Sequence, residues 1–198
     1  MSTAHQLPPI SVSDYLRGEQ DARHRHEYVE GVVYAMVGGT NAHNLIGTNA
    51  TVSLGGQLRG KRCRVFNCDT KVRVQLARGT RFYYPDAMVV CQFNPGTDTF
   101  QDAPVVIVEV LSESTRRTDE NEKRDAYLSI DSLRVYIRVE QSSALASVDR
   151  RTDDGFVREH YHGSEAVIPL PEIDCQIPLG ELYEGVEFVV EKTADDDV

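Results

Sequence analysis

In a chain of 198 residues, 21 Lys and Arg stand against 31 Asp and Glu, a formal charge of −10. With 40% apolar and 26% charged residues the composition is that of a globular chain, neither disordered nor fibrous, and its length suits one domain, since single cores stop growing near ~250 residues. No apolar run approaches the ~20 residues of a membrane span, and Met1 to Pro9 lacks the basic flank and apolar stretch of a secretory signal, so neither a membrane protein nor a secreted disulfide scaffold is expected.

In chain order, Ser11-Val-Ser-Asp-Tyr-Leu-Arg17 predicts a short capped helix, and Glu27 to Met36 a hairpin turning at Glu30-Gly31. Gly38-Gly-Thr40 reads as a loop with Thr40 as N-cap. Ile46, Ala50, Leu54 and Leu58 then form one apolar helical stripe ending near Gly60. Three strands follow: Cys63 to Phe66, the alternating Lys71 to Leu76 with Val72, Val74 and Leu76 inward, and the continuously apolar Ala87 to Cys91. Pro104 to Leu111 is another buried strand. A helix capped by Thr118 or Asp119 runs to about Ile130, and Leu133 to Val139 alternates again. A hairpin of Ala144 to Arg150 and Phe156 to His162 turns at Asp153-Asp-Gly155. A short strand and a helical turn over Pro178 to Tyr183 close the chain. With no internal repeat, this order predicts one α/β domain with a mixed central sheet.

Cys63, Cys68, Cys91 and Cys175 form no C-x-x-C pair, which argues against a zinc ribbon or redox dithiol. They read as small buried hydrophobes in a reducing cytoplasm. The charge is uneven. From Arg59 to Arg81, eight basic residues accompany the lone Asp69, a local +7 on a remainder of −17. Such a strip can hold phosphates, because the field in a groove is set by charges within about one Debye length, ~8 Å. Arg64, Lys71 and Arg73 are the candidate phosphate contacts, and a solvated strand face is the alternative.

Glu109 is the most informative residue. It interrupts Val105, Val106, Ile107, Val108, Val110 and Leu111, and an ionised carboxylate inside a central strand is costly unless paired or metal-bound. It is either neutralised by a core partner or holds a cation. Asp86, after Pro85 where a strand begins or kinks, can meet it if the two apolar strands pair, and taken alone it reads as a turn aspartate after proline. Two carboxylates at one point suit Mg²⁺, which takes hard oxygen ligands and keeps several waters. Lys123 shares a helix face with Tyr127, and taken alone it reads as a solvated lysine. His43 follows the Thr40 cap, as a capping or packing residue or as a base. The pairs His24/His26 and His160/His162 lack a third ligand of zinc-site type. No serine-hydrolase elbow, Walker A or Rossmann signature occurs.

Taken together, Glu27-Tyr-Val-Glu-Gly31, His43-Asn44, Arg64-Val-Phe66, Asp69 with Val72-Arg-Val74, Tyr84-Pro-Asp86, Ile107-Val-Glu-Val-Leu-Ser112, Ser114-Thr115, Asp119, Lys123, Tyr127 and Leu182-Tyr-Glu-Gly185 resemble the Uma2 family of restriction-endonuclease-like proteins. The resemblance runs from about Tyr15 to Val186. It implies the PD-(D/E)xK nuclease fold, a mixed central β-sheet flanked by helices and often assembled as a homodimer. On that reading residues 11–188 form the nuclease-like domain, between an N-terminal extension (1–10) and an acidic tail (189–198). Asp86 and Glu109 match the family's metal ligands, for Mg²⁺ or Mn²⁺. The wider superfamily places lysine two residues after the second acid, where this chain has Leu111, and the Uma2 pattern supplies it from the next helix as Lys123. Glu27 matches a family glutamate, with Glu30 its competitor, and His43 matches a position of auxiliary role. The expected function is a metal-dependent endonuclease acting on nucleic acid, DNA first, in the cytoplasm. The competing expectation is a non-catalytic nucleic-acid-binding or protein-interaction module that keeps the fold.

Overall fold

A computed structural model describes residues 8–111 and 122–188. Ser11 accepts the amide of Asp14 at 3.1 Å and opens α1 (Val12–Asp21), the capping bond that satisfies a first-turn donor. Strands β1 (His26–Val29) and β2 (Val32–Ala35) pair antiparallel around Glu30-Gly31, both with positive φ, 50° and 101°. That geometry matches the twist of a tight hairpin. Thr40 caps α2 (Asn41–Gln57) through the amide of His43. The Ile46, Ala50, Leu54 and Leu58 stripe is buried as its spacing predicts.

The chain then forms β3 (Arg64–Asn67), β4 (Lys71–Leu76), β5 (Gly79–Tyr83), β6 (Ala87–Val90), β7 (Phe100–Gln101) and β8 (Pro104–Leu111). Helix α3 (Arg124–Leu128) precedes β9 (Val135–Glu140), β10 (Leu145–Thr152) and β11 (Gly155–His162). β12 (Val167–Leu170), a 3₁₀ turn (Pro171–Ile173), β13 (Cys175–Pro178) and α4 (Leu179–Leu182) complete it. The expected start of the third helix at Thr118 or Asp119 lies outside the described residues.

Six strands make the central sheet in the order β11-β10-β9-β8-β6-β3. It is mixed, because β8 and β9 run parallel while their neighbours are antiparallel. A five-stranded sheet, β2-β1-β5-β4-β7, and the pair β12-β13 accompany it. The mixed α/β class holds, but the strands divide into three sheets where one was expected.

The two faces of the central sheet carry different loads. Val106, Val108, Val110, Ile137 and Val139 pack toward α2 with Ala87 and Val89. On the opposite face Ile107, Met88 and Tyr136 meet Tyr127 of α3 and Val72, Val74 and Tyr83 of the second sheet. Each fully buried Ile, Leu or Val contributes roughly 1.5–3 kcal/mol, so the strand bearing Glu109 is anchored from both sides.

The cysteine expectation is corrected in part. Arg64 faces Val90 across β3 and β6, which brings the next pair, Cys63 and Cys91, to a Cα separation of 4.1 Å, and they form a disulfide. Cys68 and Cys175 are free, but Cys68 is exposed and Cys175 only half-buried, so neither is the buried hydrophobe expected.

Candidate active site

A cleft of about 300 Å³ opens between the β1-β2 hairpin, the Gly38-Gly39-Thr40 loop, the start of α2 and the ends of β6 and β8. Glu27, His43, Asp86, Glu109 and Lys123 all line it. Five residues singled out from sequence thus come together from separate elements.

Register explains the carboxylates. Ala87 pairs with Val108, so Asp86 enters the sheet opposite Glu109. Asp86 Oδ2 accepts the amide of Val110 at 2.7 Å, and Oδ1 lies 3.0 Å from His43 Nε2. One oxygen therefore closes the β6-β8 ladder while the other ties the strand to α2. Glycine is required at one point of this approach: a Cβ on Gly39 would collide with the His43 ring at 2.6 Å, whereas one on Gly47 would rest in ordinary contact with Asp86 at 3.4 Å.

Glu109 points away from α2, on the face of Ile107 and Tyr136, and is only 4% exposed. Tyr127 donates its hydroxyl to Glu109 Oε1 at 2.8 Å. Burial, and then the Glu109 charge, push the Tyr127 hydroxyl well above its ordinary value, so it stays protonated and serves as a donor. Lys123 is 7% exposed, not the solvated helix lysine of the isolated reading. Its Nζ lies 2.8 Å from Glu27 Oε1. That oxygen is buried and receives no aligned hydrogen bond among the described residues. The Lys123–Glu27 contact is therefore an ion pair, whose attraction is little screened by water and offsets the cost of burying both charges.

Other candidates stand elsewhere. Glu30 sits at the hairpin turn, paired with Arg81 at 2.8 Å, and does not line the cleft, whereas Glu27 does. The basic strip does not form a common face. Lys71 is 5% exposed and donates to the Tyr84 hydroxyl at 3.3 Å, and burial pulls its ammonium below the usual range. Arg73 is clamped on Asp102 at 2.7 and 2.8 Å. Arg64 lies over the Phe93 ring at 4.4 Å, on the far edge strand β3. Counting charges along the sequence missed these partners, which come from distant elements.

Sequence reasoning also missed Tyr34 and Tyr84, which line the cleft. Tyr84 donates to Glu19 at 2.8 Å, and its place beside Pro85-Asp86 was the available signal. Tyr127 was noticed only for its spacing from Lys123.

No three Asp, Glu, His or Cys side chains converge as a ready-made metal cage among the described residues. The donor set nonetheless fits Mg²⁺ or Mn²⁺. Two carboxylates share one cleft, and Mg²⁺ is commonly held by one or two with water completing the shell. Glu27, paired with Lys123 through Oε1, is a third carboxylate at the same wall.

A mixed sheet between helices, with acids at adjoining strand ends and a buried lysine beside them, defines a restriction-endonuclease-like α/β fold. The crystal structure of a "putative nuclease belonging to DUF820" from Anabaena variabilis superposes with a TM-score of 0.71 at 16% identity, covering 90% of this chain and 100% of the other. Residues 12–179 match the model of the Uma2 family, described as "Putative restriction endonuclease", and the chain belongs to that family. It is 30% identical over 189 residues to the "Uncharacterized protein slr1290" of Synechocystis sp., spanning 94% of this chain and 98% of the relative. A second Synechocystis relative, "Uncharacterized protein sll1609", is 29% identical over 135 residues, 67% of this chain and 75% of its own. No helix among the described residues is long and apolar enough to cross a membrane.

Proposed function

We propose that the cleft hydrolyses phosphodiester bonds of nucleic acid, DNA first, with a divalent cation as cofactor. The observation that carries this reading is the convergence of Glu27, Asp86, Glu109 and Lys123 on one cleft from four separate elements. Asp86 and Glu109 would hold Mg²⁺ or Mn²⁺, which when bound lowers the pKa of a water and offsets phosphate charge.

The chain's own groups do the rest. His43 and the Val110 amide fix the Asp86 carboxylate, and the Tyr127 hydroxyl fixes Glu109, so neither acid must reorganise when substrate arrives. Lys123 supplies the positive charge that a developing phosphorane requires. Glu27 holds that ammonium at 2.8 Å, which fixes its position.

The test is cleavage of plasmid and single-stranded DNA by purified protein in Mg²⁺ or Mn²⁺. Asp86→Asn, Glu109→Gln and Lys123→Met are expected to lower the rate at least a hundredfold. Equal residual cleavage in all three refutes the proposal and leaves the non-catalytic binding module.

A further inference from the structure

Glu109 has a neighbour that nothing above uses. Across the parallel β8-β9 pairing it faces Arg138, Arg138 faces Ser147 of β10, and Ser147 faces His160 of β11. One step along the strands, Tyr136 faces Asp149, which faces Arg158. Cross-strand partners share a sheet face, so a polar band runs from Glu109 to the edge strand, about 5 Å per strand.

Around Asp149, away from Glu109, the charge of that band is unbalanced. Asp149 is 1% exposed and meets three guanidiniums: Arg138 at 2.9 Å, Arg124 at 3.1 Å and Arg158 at 3.1 Å. Burial alone would raise the Asp149 carboxyl, but hydrogen bonds from Arg124 and Arg158 and the field of Arg138 hold it below the usual range. It is therefore ionised, and with Asp125 at 3.3 Å from Arg124 two acids stand against three guanidiniums around Asp149, leaving +1.

The donors are also in excess. Each guanidinium offers five N–H groups, while a carboxylate has about four acceptor sites. Arg138 Nε is buried with no hydrogen-bond partner among the described residues. Arg158 is 42% exposed on its side chain and Arg124 is 26% exposed, and Arg124 directly follows Lys123. A surplus of planar, fork-shaped cations beside a phosphodiester-cleaving centre matches phosphate oxygens. Elsewhere the chain is acidic overall, and Lys71 and Arg73 of the basic strip are buried or clamped.

We propose that the β9-β10-β11 face bearing Arg158, together with Arg124 of α3 bound to its Asp149, is the track on which the sugar-phosphate backbone of nucleic acid lies as it enters the cleft. Asp149 and Arg138 form its floor. Asp149 holds both outer guanidiniums in place, Asp125 takes Nη1 of Arg124, and the Nη1 edge of Arg158 is left for the strand. This deepens the nuclease reading by naming where the substrate runs, and rests on it for the identity of the polymer.

The test is fluorescence anisotropy with a labelled single strand and its duplex, in EDTA so that binding is read without cleavage. The salt slope of log K falls by about 0.7–0.9 for each phosphate contact removed. Arg158→Gln and Arg124→Gln are each expected to flatten the slope by that amount. Between about 50 and about 200 mM salt their affinity then falls about threefold less than that of the wild type. Arg158→Glu is expected to weaken binding further, and Arg78→Gln, an exposed turn residue of the basic strip, to leave the slope unchanged. Circular dichroism melts show that each variant is folded.

Wild-type slopes in both arginine variants, a flattened slope in Arg78→Gln alone, or no binding by the wild type each overturn the track. Hydrolysis of bis(p-nitrophenyl) phosphate by the wild type in Mn²⁺ reads the cleft separately. Its absence counts against the catalytic centre, and the anisotropy result still decides the track.

Discussion

Replacing Tyr127 by Phe removes one oxygen and little else. The ring stays edge-on to Tyr83 at 5.5 Å and to Tyr136 at 5.4 Å, so no cavity opens. What is lost is a 2.8 Å hydroxyl donor to a carboxylate, between groups both sealed from water. A hydrogen bond to a charged group is worth about 1.5–3 kcal/mol. With an unfolding entropy near 2.1 cal/mol/K per residue, a chain of this size melts about 4–7 °C lower for that loss. Urea unfolding of Tyr127→Phe, Glu109→Met and the double variant measures the coupling directly. Glu109→Met strands the Tyr127 hydroxyl and Tyr127→Phe takes a donor from Glu109, while the double change removes both groups, so the double variant is expected to recover most of the loss. Additive losses, with coupling below about 0.5 kcal/mol, would refute the claim that Tyr127 supports Glu109.

Divalent cations provide a second check. At ten times its Kd, Mg²⁺ or Mn²⁺ stabilises a folded site by about 1.4 kcal/mol, seen as a rise of about 3 °C in Tm. The Asp86→Asn/Glu109→Gln variant is expected to show none. Asp149 has a folded pKa below its unfolded value of ~3.9. Its contribution is therefore complete above about pH 4 and is lost as pH falls through the folded value. Asp149→Asn is expected to cost about 3 kcal/mol at pH 7 and less in acid; equal deficits in urea melts at both pH values contradict this. Lys71 is the opposite case, a base whose folded pKa is lowered by burial. The unfolded chain binds its proton more tightly, so stability rises as pH climbs from the folded value toward ~10.4. Lys71→Met is expected to be neutral or stabilising by about 1 kcal/mol at pH 7 and to abolish that rise. Reduction of Cys63–Cys91, which are 28 residues apart, is expected to cost about 3.5 kcal/mol in the chain-entropy account, read as a lower Tm with reductant.

What sequence reveals depends on how local the physics is. The Ser11 and Thr40 caps were legible because the donor lies three residues away. Glu109 was legible because a lone acid in an apolar strand is costly wherever the strand packs. β5 was missed, since Gly79-Thr-Arg-Phe-Tyr83 has neither clean alternation nor a continuous apolar run. Its strand character comes from lying between β1 and β4. Lys123 was legible as a family position but not as a buried one, because the carboxylate that permits its burial is Glu27, on another sheet. The same non-locality undid the basic strip, where Asp102 and Tyr84 neutralise or bury what a charge count treats as free. The disulfide was hidden too, because only the β3-β6 register makes Cys63 and Cys91 neighbours.

The Lys123–Glu27 ion pair ties an amine to an acid that leaves the ribosome ninety-six residues earlier. Until the later residue emerges, the growing polypeptide carries its acids without their counter-charge. A chain halted before that point therefore lacks the full set of cleft groups.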